Sequence, residues 1–154
     1  MKKIISIIVI LTLVLGIMLA NAGVASACEP EGLSPGYWKN HTDAWVDSAY
    51  QPIDPDMPVG QLFVIPSQLG LGNYTLLQAL NFGGGPGVVG AAKILLRQAV
   101  AAYLNASHPD ISYYIGAATV RAQTNAALAS MDRNTMLSLK DIFDYNNNLG
   151  AEGF

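Results

Sequence analysis

Val88-Val89-Gly90-Ala91-Ala92-Lys93-Ile94-Leu95-Leu96-Arg97-Gln98-Ala99-Val100-Ala101-Ala102-Tyr103-Leu104-Asn105 reads as one long helix whose polar stripe is narrow, with Lys93 and Arg97 one turn apart. A helix apolar over most of its circumference belongs inside a domain. The segments on either side follow from it. Upstream, Asn73 is placed to cap a helix through Leu76, Leu77 and Leu80, which Gly83-Gly84-Gly85-Pro86-Gly87 stops. Downstream, His108-Pro109 ends the long helix, and Asp110 is placed to cap a third helix with Ile111, Ile115, Ala118, Ala122 and Ala129 on one face. A fourth starts after Asp132, with Met136, Leu139, Ile142 and Phe143 inward, and stops at Asn146-Asn147-Asn148-Leu149-Gly150. The fold class expected is mainly α, a small bundle of about four to five helices.

The rest of the chain fits around that bundle. Trp38, His41, Thr42 and Trp45 have helical spacing and predict a short helix near Tyr37. Pro52, Pro55 and Pro58 fall within Gln51 to Gly60 and predict a stiff loop without regular structure. Leu62-Phe63-Val64-Ile65 reads as a brief strand or buried extended segment before Pro66.

The first residues are of another kind. Lys2 and Lys3, an apolar run from Ile4 to Ala20 and the small-residue ending Ala25-Ser26-Ala27 have the layout of an N-terminal signal helix. Residues 1–27 are expected to be a signal peptide and 28–154 a single compact helical domain, secreted or held at the cell surface. Two other fates fit the segment less well. Cys28 stands where a bacterial lipoprotein carries its lipid, but Ala25 occupies a position where such signals usually have Leu or Val, and the apolar run is near the lower length limit for an uncleaved anchor. Contact with a membrane is expected only through the signal segment or a lipid on Cys28. As the sole cysteine, Cys28 has no intrachain partner, which leaves acylation, an intermolecular disulfide or a free thiol.

Residues 28–154 carry six basic side chains, Lys39, Lys93, Arg97, Arg121, Arg133 and Lys140, against eleven acidic ones, a net charge of −5. Scattered cations on an acidic chain exclude nucleic acid as a partner, because displacing condensed counterions takes clustered Lys and Arg. No cofactor is expected. Gly85-Pro86-Gly87-Val88-Val89-Gly90 matches G-x-G-x-x-G, but the segment before it reads as helix where a dinucleotide site needs a strand, and Ala91 stands where a phosphate loop needs Lys. No metal is expected either: His41 and His108 are the only histidines, and Asp43, Asp47, Asp54 and Asp56 lack a coordinating frame. Asn40-His41-Thr42, Asn73-Tyr74-Thr75 and Asn105-Ala106-Ser107 are N-glycosylation sequons.

Tyr37, Trp38, Lys39, Asn40, His41 and Trp45 form the densest cluster of ligand-type side chains. Aromatic faces beside amide, amine and imidazole groups suit a sugar ring. The competing reading is a structural wedge, since Trp38 and Trp45 share one helical face. Pro35-Gly36-Tyr37-Trp38-Lys39-Asn40-His41, followed by Ala44-Trp45, the helix end Ala101-Ala102-Tyr103-Leu104-Asn105 and Asp144-Tyr145-Asn146-Asn147 before Gly150, resembles a loosely defined set of mostly uncharacterised exported bacterial and archaeal proteins. The resemblance implies a secreted or surface-associated module and supplies no catalytic residues. It also implies a cysteine pair closing the domain, yet this chain ends Ala151-Glu152-Gly153-Phe154, with no partner there for Cys28. The function expected is a non-enzymatic cell-surface or extracellular module contacting cell-envelope or matrix components, with the Tyr37 to Trp45 segment and the proline loop as its contact surface. The alternative is a glycan-binding module using Tyr37 to Trp45, and a lesser one is a small extracellular hydrolase built on His41 with Ser34 and Asp43.

Overall fold

The computed structural model describes residues 29–151 and 153–154; the expectations for the signal segment and for Cys28 lie outside the described residues. The described chain is mainly helical. Its six α-helices are α1 (Pro35–Asn40), α2 (Val59–Leu62), α3 (Leu76–Leu80), α4 (Gly87–Ser107), α5 (Ala117–Ala129) and α6 (Arg133–Asn146), and β-pairing among the described residues is confined to isolated bridges. Helix α4 is the axle. It buries Ala91, Ala92, Leu95, Leu96, Ala99, Val100, Ala101, Ala102 and Leu104, and α1, α3, α5 and α6 pack around it. It is also the one helix among the described residues long and apolar enough to cross a membrane, and most of it is inside the domain. Its alanines let neighbouring helices approach closely, since the side chains at a contact set the separation of the axes.

Several boundaries differ from the sequence expectation, each for a local reason. Helix α3 is capped by Thr75, not Asn73, through a reciprocal pair: Gln78 N–H donates to Thr75 Oγ1 at 3.1 Å and Thr75 N–H to Gln78 Oε1 at 2.9 Å. Asn73 lies instead in a turn whose flanking carbonyls, Gly72 O and Tyr74 O, accept from Gly60 and Val59 N–H at 3.0 and 2.7 Å. Helix α2 begins inside the proline window directly after Pro58, which lies outside the first turn, where its missing N–H is not needed. Leu62 therefore closes a helix, and the buried Phe63 follows in extended conformation.

Asp110 caps nothing; α5 starts only after Gly116. Residues 111–113 are held extended because Glu31 N–H donates to Ser112 O at 3.0 Å and Ser112 N–H to Glu31 Oε2 at 2.9 Å. Helix α5 buries Val120, Thr124, Ala127 and Leu128, leaving Ala118, Ala122 and Ala129 exposed. Alanine has little area to bury, so the larger Val120 and Leu128 decide the face. Helix α6 is capped by Asp132 and buries Met136, Leu139 and Phe143, but Ile142 points outward.

Gly85 and Gly90 also have a structural explanation. A Cβ on Gly90 would lie 2.2 Å from Gly85 O, so the first turn of α4 closes against the preceding loop only without a side chain. Arg133 then fixes that loop, its Nη1 donating to Gly85 O at 3.1 Å and Gly87 O at 2.9 Å.

The described ends meet beside α4. Gly32 N–H donates to Gly150 O at 2.7 Å and Gly150 N–H to Gly32 O at 3.0 Å, and a Cβ on Gly32 would strike Asn146 O. Behind this bridge lies a buried amide chain. Asn105 Oδ1 accepts from Leu33 N–H at 2.8 Å and Trp38 Nε1–H at 3.1 Å, while Asn105 Nδ2 donates to Leu33 O at 2.9 Å and Asn147 Oδ1 at 3.0 Å. Asn147 Oδ1 also accepts from Tyr113 OH at 2.8 Å, and Asn147 Nδ2 donates to Gln98 O and Gln98 Oε1, each at 3.0 Å. Burial holds the Tyr113 hydroxyl far above its ordinary pKa, which keeps it a donor. Each amide uses both acceptor sites and both donors, the maximum for the group.

Such a network is costly to break, because every partner left behind is a desolvated polar group. Asn105→Ala strands Trp38 Nε1 and both backbone groups of Leu33. It is expected to lower the unfolding free energy by about 3 kcal/mol or more, read from urea titration. Asn148→Ala, on the surface, should cost less than about 1 kcal/mol in the same titration.

Candidate functional site

Ser34 and Pro35 start α1, with Ser34 Oγ accepting from Tyr37 N–H at 3.2 Å. Tyr37 and His41, one turn apart, stack with ring centroids 4.1 Å apart and planes 13° from parallel. His41 is exposed, with its Nδ1 2.9 Å from Tyr37 O. Lys39 and Asn40 are exposed too, and Asn40 Nδ2 donates to Gly36 O at 2.9 Å. The two tryptophans lie elsewhere. Trp38 is 0 % and Trp45 1 % exposed, and Trp45 Nε1–H donates to Trp38 O at 2.9 Å. A buried ring has no face for a sugar, so Trp38 and Trp45 are withdrawn from the expected site. Tyr37, Lys39, Asn40 and His41 remain at the surface without them.

Ser34, His41 and Asp43, neighbours in the chain, share no hydrogen bond among the described residues. The loop carboxylates cap turns: Asp47 Oδ1 accepts from Ala49 and Gln51 N–H at 2.8 and 2.9 Å, and Asp54 Oδ1 from Asp56 N–H at 2.8 Å. Of the three sequons, Asn40 and Asn73 are exposed, whereas Asn105 is fully buried in the amide network and closed to a glycan.

His108 lies in the wall behind α1, its ring 6.1 Å from Trp38 and 5.2 Å from Phe154. Its Nδ1 accepts from Asp110 N–H at 3.3 Å, and burial lowers its pKa, partly opposed by the Asp110 charge. A proton is then bound more readily by the unfolded chain than by the folded one.

Among the described residues the two most exposed aromatic side chains lie just before α5 and at the end of α6. Tyr114 and Tyr145 are 75 % and 72 % exposed, and Ile142 is 51 % exposed beside them. Three shallow depressions adjoin one another there. The central one, about 500 Å³, runs between Tyr114 and Tyr145 over Asn146, with Leu149 and the Glu29-Pro30 segment at its edge. Tyr114 also borders a second of about 390 Å³, floored by Gly116 and edged by Thr119, Gln123 and Ile142. Tyr145 and Leu149 border the third, also about 390 Å³, with Asp141, Asp144 and Asn148.

No known family model, curated protein or solved structure matches this chain. The face must therefore be read from its chemistry. Sequence reasoning missed Tyr114, Tyr145 and Leu149 because it treated Asn146 to Gly150 only as a helix stop and turned Ile142 inward. A usable signal was present: Ile142, Tyr145 and Leu149 repeat at i, i+3 and i+7, a second apolar stripe beside the one formed by Met136, Leu139 and Phe143.

Two outcomes follow from these placements. Acrylamide should barely quench native tryptophan emission, and unfolding in urea should restore quenching; strong quenching of the native protein would contradict the burial of Trp38 and Trp45. The stability contributed by neutral His108 is complete above the ordinary histidine pKa of about 6.5 and is lost as pH falls from there toward the lower folded-state value. Melting temperature should drop between pH 7.5 and 5.5, and His108→Asn, which retains an acceptor for Asp110 N–H, should flatten that slope.

Proposed function

We propose that this protein is an exported, non-enzymatic binding module of the cell surface or extracellular space, and that it meets its partner through the Tyr114 and Tyr145 face. The observation that carries the reading is the gathering of Tyr114, Ile142, Tyr145 and Leu149, all large and exposed, around three adjoining depressions. Scattered single apolar side chains are ordinary on a protein surface, whereas a contiguous group marks a contact site. The signal-like segment and the resemblance of Pro35 to His41 to exported proteins support the location. Cell-envelope or matrix components are then the partners, and Cys28 is placed for acylation or an intermolecular disulfide.

The glycan-binding alternative moves with the aromatic rings. Its stacking groups become Tyr114 and Tyr145, and the surface part of α1 keeps at most an accessory role. Hydrolysis through His41 loses support, because that ring is engaged with Tyr37 and shares no hydrogen bond with Ser34 or Asp43.

Fractionating the host and measuring intact mass with and without reductant tests this reading. The protein is expected outside the cytoplasm without residues 1–27, retained by envelope or matrix, and Tyr114→Ala/Tyr145→Ala should shift it into the medium. A cytoplasmic chain retaining Met1 would overturn export, and equal partition of both proteins, each carrying Cys28→Ser so that no lipid can hold it, would overturn the binding face. An acyl increment or a doubled mass without reductant would assign Cys28.

A further inference from the structure

Resting on that reading, we infer that the Tyr114 and Tyr145 face binds a neutral polysaccharide, with each tyrosine shared between two adjoining depressions. The geometry suits a polymer. Tyr114 lines both a depression of about 390 Å³ and the central one of about 500 Å³, and Tyr145 lines both the central one and another of about 390 Å³. A small compact ligand buries most of its surface in one concave cavity. Adjoining open depressions that share aromatic side chains instead offer repeated contacts, which a chain of like units can occupy together.

The lining chemistry selects the class. Tyrosine presents an apolar ring to C–H surfaces and a hydroxyl to hydrogen-bonding groups. Asn146, its Nδ2 donating to Ile142 O at 2.8 Å, lines the central depression. Gln123 and Asn148 bring further amides to the outer two. Sugar hydroxyls, each donor and acceptor, match this mixture. A lipid or an apolar helix does not, because amides and carboxylates interrupt the apolar area and covering them with apolar groups removes their water.

Charge narrows it further. Glu29, Asp141 and Asp144 border the depressions, and the adjacent Lys140 Nζ is paired with Asp141 Oδ1 and lies 3.7 Å from Asp144 Oδ2. The local field is negative and repels a phosphate- or uronate-rich polymer. Among cell-surface polymers, an uncharged hexose or N-acetylhexosamine chain fits both the rings and the charge.

Affinity electrophoresis of the purified protein tests this, using native gels cast with β-glucan, mannan, glycol chitin or, as the polyanion, polygalacturonate. Retardation is expected in at least one neutral gel and not in polygalacturonate. Tyr114→Ala or Tyr145→Ala should weaken it about tenfold or more, the usual loss when a central aromatic anchor is truncated, while Tyr→Phe variants, which keep the ring, should retain most of it. Tryptophan emission, arising from the buried Trp38 and Trp45, reports whether each variant stays folded. Stronger retardation in polygalacturonate, or unchanged retardation of the Ala variants, overturns the inference. If no neutral gel retards the protein yet the double Ala variant still escapes the host envelope, the polysaccharide assignment fails while the binding face stands, and a protein partner takes its place. If neither occurs, both fall.

Discussion

The hydrogen bonds of Asn105 and Asn147 are the constraint on which the rest depends. Asn105 is near the end of the central helix α4, Asn147 follows the last turn of α6, and their side chains join the Leu33 backbone, the Trp38 indole, Tyr113 and Gln98 in one buried chain. Apolar packing alone specifies such a contact loosely, because hydrophobic attraction has no direction. Amides with every donor and acceptor used admit one arrangement and penalise the others. The network thus gives an alanine-rich bundle its register.

It also fixes the proposed binding face. Tyr113 turns inward to Asn147, while its neighbour Tyr114, in the bend that follows, is exposed. At the other edge, Asn146 and Asn147 are buried where α6 ends and Tyr145 is directed outward. Tyr114 is thus adjacent in the chain to Tyr113 of the network, and Tyr145 stands two residues before Asn147. A surface held this way keeps its spacing without a binding partner, which reduces the ordering cost of association.

Much of the fold was legible in the sequence because its signals are local. The length of α4, the glycine stop before it, and the Asp132 cap with Met136, Leu139 and Phe143 follow from composition and spacing. The errors arose where distant partners decide. Residues 111–113 stay extended because Glu31, far away in sequence, pairs with them, and α5 turns its Val120 side inward because alanine carries too little periodic signal to decide. The burial of both tryptophans agrees with the wedge that their shared helical face favours, but the partners of their N–H groups are not legible locally, one being an asparagine 67 positions away. Asn105 and Asn147 read as helix ends, since nothing local distinguishes a terminating asparagine from one that bonds across the domain.

The reciprocal pairing of Gly32 with Gly150 has a mechanical consequence. The two strands run antiparallel, so Glu31 and Ala151 leave the pair on the same side. Tension carried by the flanking chain therefore meets these two bonds in turn, as a zip is opened, instead of shearing both together. On the N-terminal side Glu31 is held first by its two bonds to Ser112. Past the pair the load enters α4 directly, because the Leu33 backbone is bonded to Asn105 near the end of that helix.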